Sequence, residues 1–238
     1  MKHTAFLIGL ILVINGCSDK AEYQSIFNGS NLDGWTAKMT DQDQSKEFWF
    51  VEDSCIVARS IGDSVHDYMW LQYDKELKDF SLRFEFQPVR GNTGNTGVQV
   101  RSRYDDKEQW LNGPQVDIHP PDPWRTGMMW DETRGYQRWI FPDLPKDEWV
   151  NPDMKIATPP FYFKGDSIEW NFMEIHVKGL EVKAMLNEQL VTDFNGEGIL
   201  DDSLHQNMGV GTSGYILFQI HRKDQLEIRF RNIELKES

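Results

Sequence analysis

The feature that most constrains how this chain can fold is a set of strictly alternating segments, the most telling of which lies within residues 97–119. There Val98 and Val100 alternate with Gln99, Arg101 and Arg103, and Val116 and Ile118 alternate with Gln115, Asp117 and His119. A period of two sends successive side chains to opposite faces of an extended strand. One face of each segment is therefore aliphatic and has to be core. The other carries groups that cost several kcal/mol when buried without partners, so it faces either solvent or a ligand.

The same alternation recurs along the chain. Residues 80–87 set Phe80, Leu82, Phe84 and Phe86 against Ser81, Arg83, Glu85 and Gln87 until Pro88 ends the segment. In residues 170–178 Met173, Ile175 and Val177 alternate with Glu174, His176 and Lys178, and strands at 180–186 and 189–194 follow about the two-residue turn Asn187-Glu188. Strands at 215–221 and 226–235 close the chain, and Gln219 and His221 repeat the polar pattern of residues 97–119. Shorter candidates lie at 25–27, 48–51, 55–58 and 68–71. No stretch of ten or more residues has helical periodicity and no internal repeat is visible. The pattern predicts an all-β fold with residues 24–238 as one domain, within the roughly 200–250 residues that a single all-β domain can reach.

Residues 120–160 break the pattern, holding eight of the ten prolines and four of the nine tryptophans. A long irregular segment inside a compact domain is functional or disordered, and Trp124, Trp130, Trp139 and Trp149 argue against disorder. The expectation is ordered loops packed over one face of a sandwich.

The start of the chain predicts a different role. Lys2 followed by an apolar run over residues 6–14 and by Gly16 has the form of an export signal, 1–16, too short to span a bilayer comfortably. Cys17, preceded by Ile14, Asn15 and Gly16, resembles the acylated cysteine of a bacterial lipoprotein, with 17–23 as a tether. The plainer alternative is a secretory signal with a nearby cysteine. The expected location is the bacterial cell envelope, lipid-anchored, on the periplasmic or outer-membrane face. Loss of the signal removes Lys2, so a formal charge of -13 becomes -14, the wrong sign for nucleic acid. Cys55 is then the one remaining thiol, which excludes an internal disulfide and suits a small buried hydrophobe.

Several runs together resemble one family. Phe27-Asn28-Gly29 with Leu32-Asp33-Gly34-Trp35, Asn95-Thr96-Gly97-Val98-Gln99-Val100-Arg101-Ser102, Gly113-Pro114-Gln115-Val116-Asp117-Ile118, Glu169-Trp170-Asn171 and the terminal residues 214–235 are similar to the 3-keto-disaccharide hydrolase family across nearly the whole mature chain. The resemblance implies a concanavalin-like jelly-roll sandwich of two antiparallel sheets, one of them concave. It also implies cleavage of sugars already oxidised to a ketone at C3, in bacteria whose sugar oxidoreductases are functional partners. The chain departs from the family at Asn187-Glu188, commonly Asn-Gly, and at Pro114, often Tyr. Gln115 and Asp117 place it with the members that carry Gln and Asp in the central strand.

A C3 ketone makes the C2 proton acidic, and the resulting enolate can expel the group at C1 before water adds back. Such chemistry needs a base, a partner for the enolate oxygen and an acid for the leaving group. Asp117, Glu132 and His221 are the candidate catalytic residues. Gln99, Arg101, Gln115, Trp130, Asp131, Arg134 and Gln219 are candidates for substrate binding, with Arg101 as the charge stabiliser. The plain alternative for Asp117 is an ion pair with Arg101 or Arg103. Trp110, Trp124, Trp130 and Trp139 could stack on pyranose rings or anchor the loops, and His66, His176 and His205 read as surface residues. No cofactor is predicted. A divalent metal on Asp117, His119 and the Asp131/Glu132 pair is an alternative that no ligand spacing fixes. Against an enzyme that cleaves 3-keto-glycosides stand a non-catalytic carbohydrate-binding lectin on the same fold and a conventional jelly-roll glucanase. The glucanase normally carries a Glu-x-Asp-x-Glu strand that this sequence lacks.

Overall fold

The alternating segments form strands. The computed structural model describes residues 22–91 and 94–238, so the expected signal, Cys17 and most of the tether lie outside the described residues. In chain order the strands are β1 (Gln24–Ser25), β2 (Trp35–Met39), β3 (Trp49–Glu52), β4 (Cys55–Arg59), β5 (Met69–Tyr73), β6 (Phe80–Pro88), β7 (Thr96–Asp105), β8 (Trp110–Asn112), β9 (Pro114–Ile118), β10 (Met129–Asp131) and β11 (Arg138–Phe141). β12 (Asn171–Lys178), β13 (Glu181–Leu186) and β14 (Gln189–Asn195) follow, then helix α1 (Ser203–Met208), β15 (Tyr215–Ile220) and β16 (Glu227–Glu237).

These make two antiparallel sheets of eight strands. The first runs β14-β13-β12-β6-β16-β4-β3 with β1 on β16, and the second β11-β10-β9-β7-β15-β5-β2 with β8 on β7. The fold is the expected concanavalin-like jelly roll. Its core is where the aliphatic faces meet: Phe84 of the first sheet lies edge-on to Phe218 of the second at 5.4 Å, and Phe218 stacks on Phe230 at 4.4 Å. Val98, Val100, Val116 and Ile118 are all buried in the same cluster. Asn187 and Glu188 both have positive φ, which closes the β13–β14 hairpin. Cys55 is free and buried.

The structure corrects several expectations. Residues 120–160 are not wholly irregular, because β10 and β11 extend the second sheet beyond β9. Runs of three and four residues are too short for a period of two to show. His205 and His66 are buried, not surface residues. His205 belongs to α1, a helix too short for periodicity to reveal, which Asp202 caps by accepting from the His205 N–H at 2.8 Å.

Arg101 is the sharpest departure. The alternation of β7 holds through Val100 and then fails, because Arg101 has φ 52° and the β7–β15 register shifts between Tyr215 and Leu217. This is a β-bulge, which re-aims the side chain that follows it. Gly214 permits it, since a Cβ there would come within 2.5 Å of the Arg101 backbone carbon. The guanidinium is buried at the end of the sandwich. It donates to the carbonyls of Lys78, Gly179 and Gly211 and to Asp79 Oδ1 at 2.7 Å.

Arg101→Met strips these acceptors of their donor. We expect it to lower unfolding free energy by about 3 kcal/mol in urea, and a loss below about 1 kcal/mol would contradict the clamp.

Candidate active site

The polar faces of β7, β9 and β15 come together on the outer, concave side of the second sheet. Gln99 pairs with Gln115 across β7 and β9, and Gly97 pairs with Asp117. Gly97 is what lets the ladder form: a Cβ at this position would come within 2.6 Å of Gln115 Cγ. Gln115 therefore lies flat over a bare backbone. Its Nε2 donates to Asp117 Oδ1 at 3.0 Å and its Oε1 accepts from Gln99 Nε2 at 2.5 Å. On the neighbouring strand Gln219 Nε2 donates to Glu132 Oε1 at 3.1 Å.

Glu132 follows the last residue of β10. Its backbone N–H donates to Gly113 O at 3.0 Å, and its carbonyl accepts from Trp110 Nε1 at 2.9 Å. His221 follows β15 directly. Its Nε2 lies 3.0 Å from the Tyr68 hydroxyl and its Nδ1 3.3 Å from Asp224 Oδ2. The three candidate catalytic residues thus share one cleft of about 750 Å³. Tyr68 and Trp110 form one flank, and Trp130, Trp139 and Trp149 the other. Trp130 stacks on Trp149 at 5.6 Å, with Trp139 edge-on to both.

Burial sets the electrostatics. Asp117 is 1% exposed and Glu132 4%. Removal from water pushes the Asp117 carboxyl up to about 6, against the pull of Arg125, His221, Asn95 and Gln115. It pushes Glu132 up to about 7, against the Gln219 hydrogen bond and the His221 charge. Burial, helped by the Arg125 charge, drives His119 down to about 4. Burial and then the Glu132 charge hold the Tyr68 phenol well above its ordinary value, so it stays a donor. Asp224 pays for partial burial, yet His221 and the Asn95 N–H hold its carboxyl below the usual range.

Several buried polar atoms here have no hydrogen-bond partner among the described residues: Asp117 Oδ2, Gln219 Oε1, Asn95 Oδ1 and Arg125 Nε. Asp117 Oδ2 and Arg125 Nε face each other at 3.7 Å. Such groups suit a ligand rich in hydroxyls or carbonyls.

Of the residues singled out from sequence, Gln99, Gln115 and Gln219 brace the carboxyls from beneath, Trp130 forms part of the wall, and Arg134 stands at the rim, paired with Glu108 at 2.6 Å. Arg101 and Asp131 are not brought to the cleft. The bulge carries Arg101 to the sandwich end, and Asp131 is fully buried against His205. Trp124 packs on Phe161 at 6.1 Å, both partly buried against the core. Sequence reasoning missed Arg125, Tyr68, Asp224, Asn95 and Trp149. Nothing local marks Arg125, whereas Asp224 stands three residues after His221 in a turn. Among the described residues no three His, Cys, Asp or Glu side chains meet as a set that could hold a metal ion.

A two-sheet jelly roll with a polar floor and tryptophan walls on its concave face has the architecture of carbohydrate-active proteins. The sequence matches the 3-keto-alpha-glucoside-1,2-lyase-like domain family over residues 22–236, and the chain belongs to that family. The structure is similar to a putative glycosyl hydrolase from Parabacteroides distasonis, at 20% identity over 91% of this chain and 94% of that one, with a TM-score of 0.55. It is also similar to the carbohydrate binding module CBM66 from Bacillus subtilis, at 16% identity, 86% and 96% coverage and a TM-score of 0.53. The catalytic domain of an endo-1,3-beta-glucanase from Thermotoga petrophila aligns at 12% identity, 92% and 99% coverage and a TM-score of 0.52. At these identities the likeness is one of fold. A search of curated protein sequences finds no match.

The raised Glu132 carboxyl has a consequence for stability. The folded state holds its proton up to about pH 7, whereas an unfolded Glu releases it near 4.5. The folded form therefore binds more protons between those values, and stability falls as pH rises through that window. Glu132→Gln removes the penalty, so its stability relative to wild type should rise by on the order of 2–3 kcal/mol between pH 4 and pH 8. Urea titrations at both pH values measure this, and a pH-independent difference would refute it.

Proposed function

We propose that the protein cleaves 3-keto-glycosides by elimination across C1 and C2 followed by hydration. The observation that carries this reading is the pair of buried carboxyls, Asp117 at about 6 and Glu132 at about 7, in one cleft with His221. Two acids pushed to different values near neutrality suit a base and an acid working at the same pH. The family description and the putative glycosyl hydrolase among the similar structures support the same class of chemistry.

Asp117, ionised above its value of about 6, takes the proton from C2. The electron pair moves into the enolate, whose C3 oxygen meets the Arg125 Nε–H and the Tyr68 hydroxyl, both lining the cleft. Glu132, protonated below about 7, gives its proton to the glycosidic oxygen as the C1–O bond breaks. The aglycone leaves as an alcohol and C1=C2 forms beside the regenerated C3 ketone. Water then adds at C1, giving its proton to the Glu132 carboxylate, while Asp117 returns a proton to C2. The sum is hydrolysis, and both carboxyls end as they began. His221, held between Tyr68 and Asp224, orients the phenol, while the tryptophan walls offer flat apolar faces to the sugar rings. Acylation at Cys17 would hold the enzyme in the bacterial cell envelope, where sugar oxidoreductases supply the ketone.

Purified protein given a 3-keto-glucoside in D₂O should release the aglycone and place deuterium at C2. Asp117→Asn and Glu132→Gln should each lower kcat by about 10²–10⁴-fold. The kcat/KM profile should peak between about pH 6 and 7, where Asp117 is ionised and Glu132 is protonated. No release from either anomer, with or without added divalent metal, would overturn the reading. Glycan binding that survives both substitutions without any cleavage would assign a lectin instead.

A further inference from the structure

Behind Glu132 lies a second group of ionisable side chains that takes no part in these steps. His205 and Asp131 are both fully buried. His205 Nε2 is 3.1 Å from Asp131 Oδ2, and its Nδ1 is 2.9 Å from Asp202 Oδ1. Nε2 also lies 3.4 Å from the Thr133 hydroxyl, and a ring with a carboxylate beside each nitrogen is one whose imidazolium form is favoured. Against the cost of burial, Asp131 and then Asp202 make that ring hold its proton more tightly than usual. Asp131 Oδ1 also accepts from the Thr133 N–H at 2.9 Å, while Thr133 Oγ1 accepts from the Gly113 N–H at 3.1 Å. Residues 131 and 133, on either side of Glu132, are therefore both tied down from the rear.

A cluster of three charges is an expensive way to dock a six-residue helix. Well-packed apolar groups of similar volume usually hold as well or better, because buried ion pairs seldom repay their desolvation. Its place in the fold gives it another use. One end is the residue next to Glu132 in the chain, and the negative charge of Asp131 is among the influences that raise the Glu132 carboxyl. The other titratable groups acting on Glu132 are His221, which follows β15, and Tyr68, which precedes β5.

We propose that His205 is a positioning residue for Glu132: clamped between Asp131 and Asp202, its imidazolium fixes the strand end that presents the Glu132 carboxyl to the cleft and screens that carboxyl from Asp131. This rests on reading Glu132 as the proton donor, and the coupling itself is measurable without substrate. Helix α1 is then part of the site's support although it touches none of the cleft.

Carboxyl ¹³C NMR titration of Glu132, assigned with Glu132→Gln, tests it in Asp131→Asn and His205→Gln. The Glu132 midpoint should fall by about half a pH unit or more in Asp131→Asn and rise in His205→Gln, where Asp131 loses its counter-charge. In turnover of a 3-keto-glucoside, His205→Gln should lower kcat by about tenfold with KM within about twofold, and move the alkaline limb of the pH profile together with the Glu132 midpoint. A simple staple would cost stability and leave that limb in place. Midpoints within about 0.2 pH units of wild type in both variants, folded by circular dichroism, would overturn the proposal. Should neither variant fold, Asp202→Asn at the partly exposed end of the clamp takes their place, with a rise expected and an unmoved midpoint counting against it. A folded wild type that cleaves nothing would remove the elimination chemistry while leaving the coupling to be decided by the titration.

Discussion

The cleft depends on Gln115 lying flat across Gly97. A β-sheet face normally raises a side chain at every second position, and two long polar groups on one strand would then stand parallel without touching. The missing Cβ lets the Gln115 amide fold down and join Gln99 to Asp117 in one line of hydrogen bonds. A buried carboxylate without such partners would be prohibitively costly. With them Asp117 remains ionisable near neutral pH, at about 6. Gln219 gives Glu132 the same kind of support from β15, three strands along from β10.

Placing two carboxyls out of water works against folding, and more so as the pH rises. The opposite face of the same strands offsets that cost. Val98, Val100, Val116, Phe218 and Ile220 enter the aromatic core shared with Phe84 and Phe230, so the second sheet is held by one face and specialised by the other. The division is a direct result of the strand's two-residue period. It explains how a site with several unpartnered buried atoms sits on a rigid floor.

The arginines show where local pattern stops being informative. Read by alternation, Arg101 belongs beside Asp117 on the polar face. The bulge at Arg101 removes it to the end of the sandwich, and Arg125, from the loop before β10, stands beside Asp117 instead. The same holds for Asp131 and Glu132, neighbours in sequence whose side chains serve opposite sides of β10. One reaches the cleft and the other the buried His205.

The sequence by itself determined the all-β class, most strand positions, the division of residues 97–119 into core and polar faces, and the family. Each of these follows from short-range periodicity or from motifs contiguous in the chain. It also pointed to Asp117, Glu132 and His221, because polar residues on a patterned strand or beside tryptophans stand out without a fold. Tertiary structure alone decided that β7, β9 and β15 bring those three together, that Tyr68 and Asp224 flank His221, and that Arg125 rather than Arg101 faces Asp117. It likewise decided that His205 is buried. These depend on strand order, on one bulge and on contacts between residues up to 153 positions apart, as between Tyr68 and His221. Such contacts leave no period in a sequence, since they are set by which sheet edges meet rather than by what is adjacent along the chain.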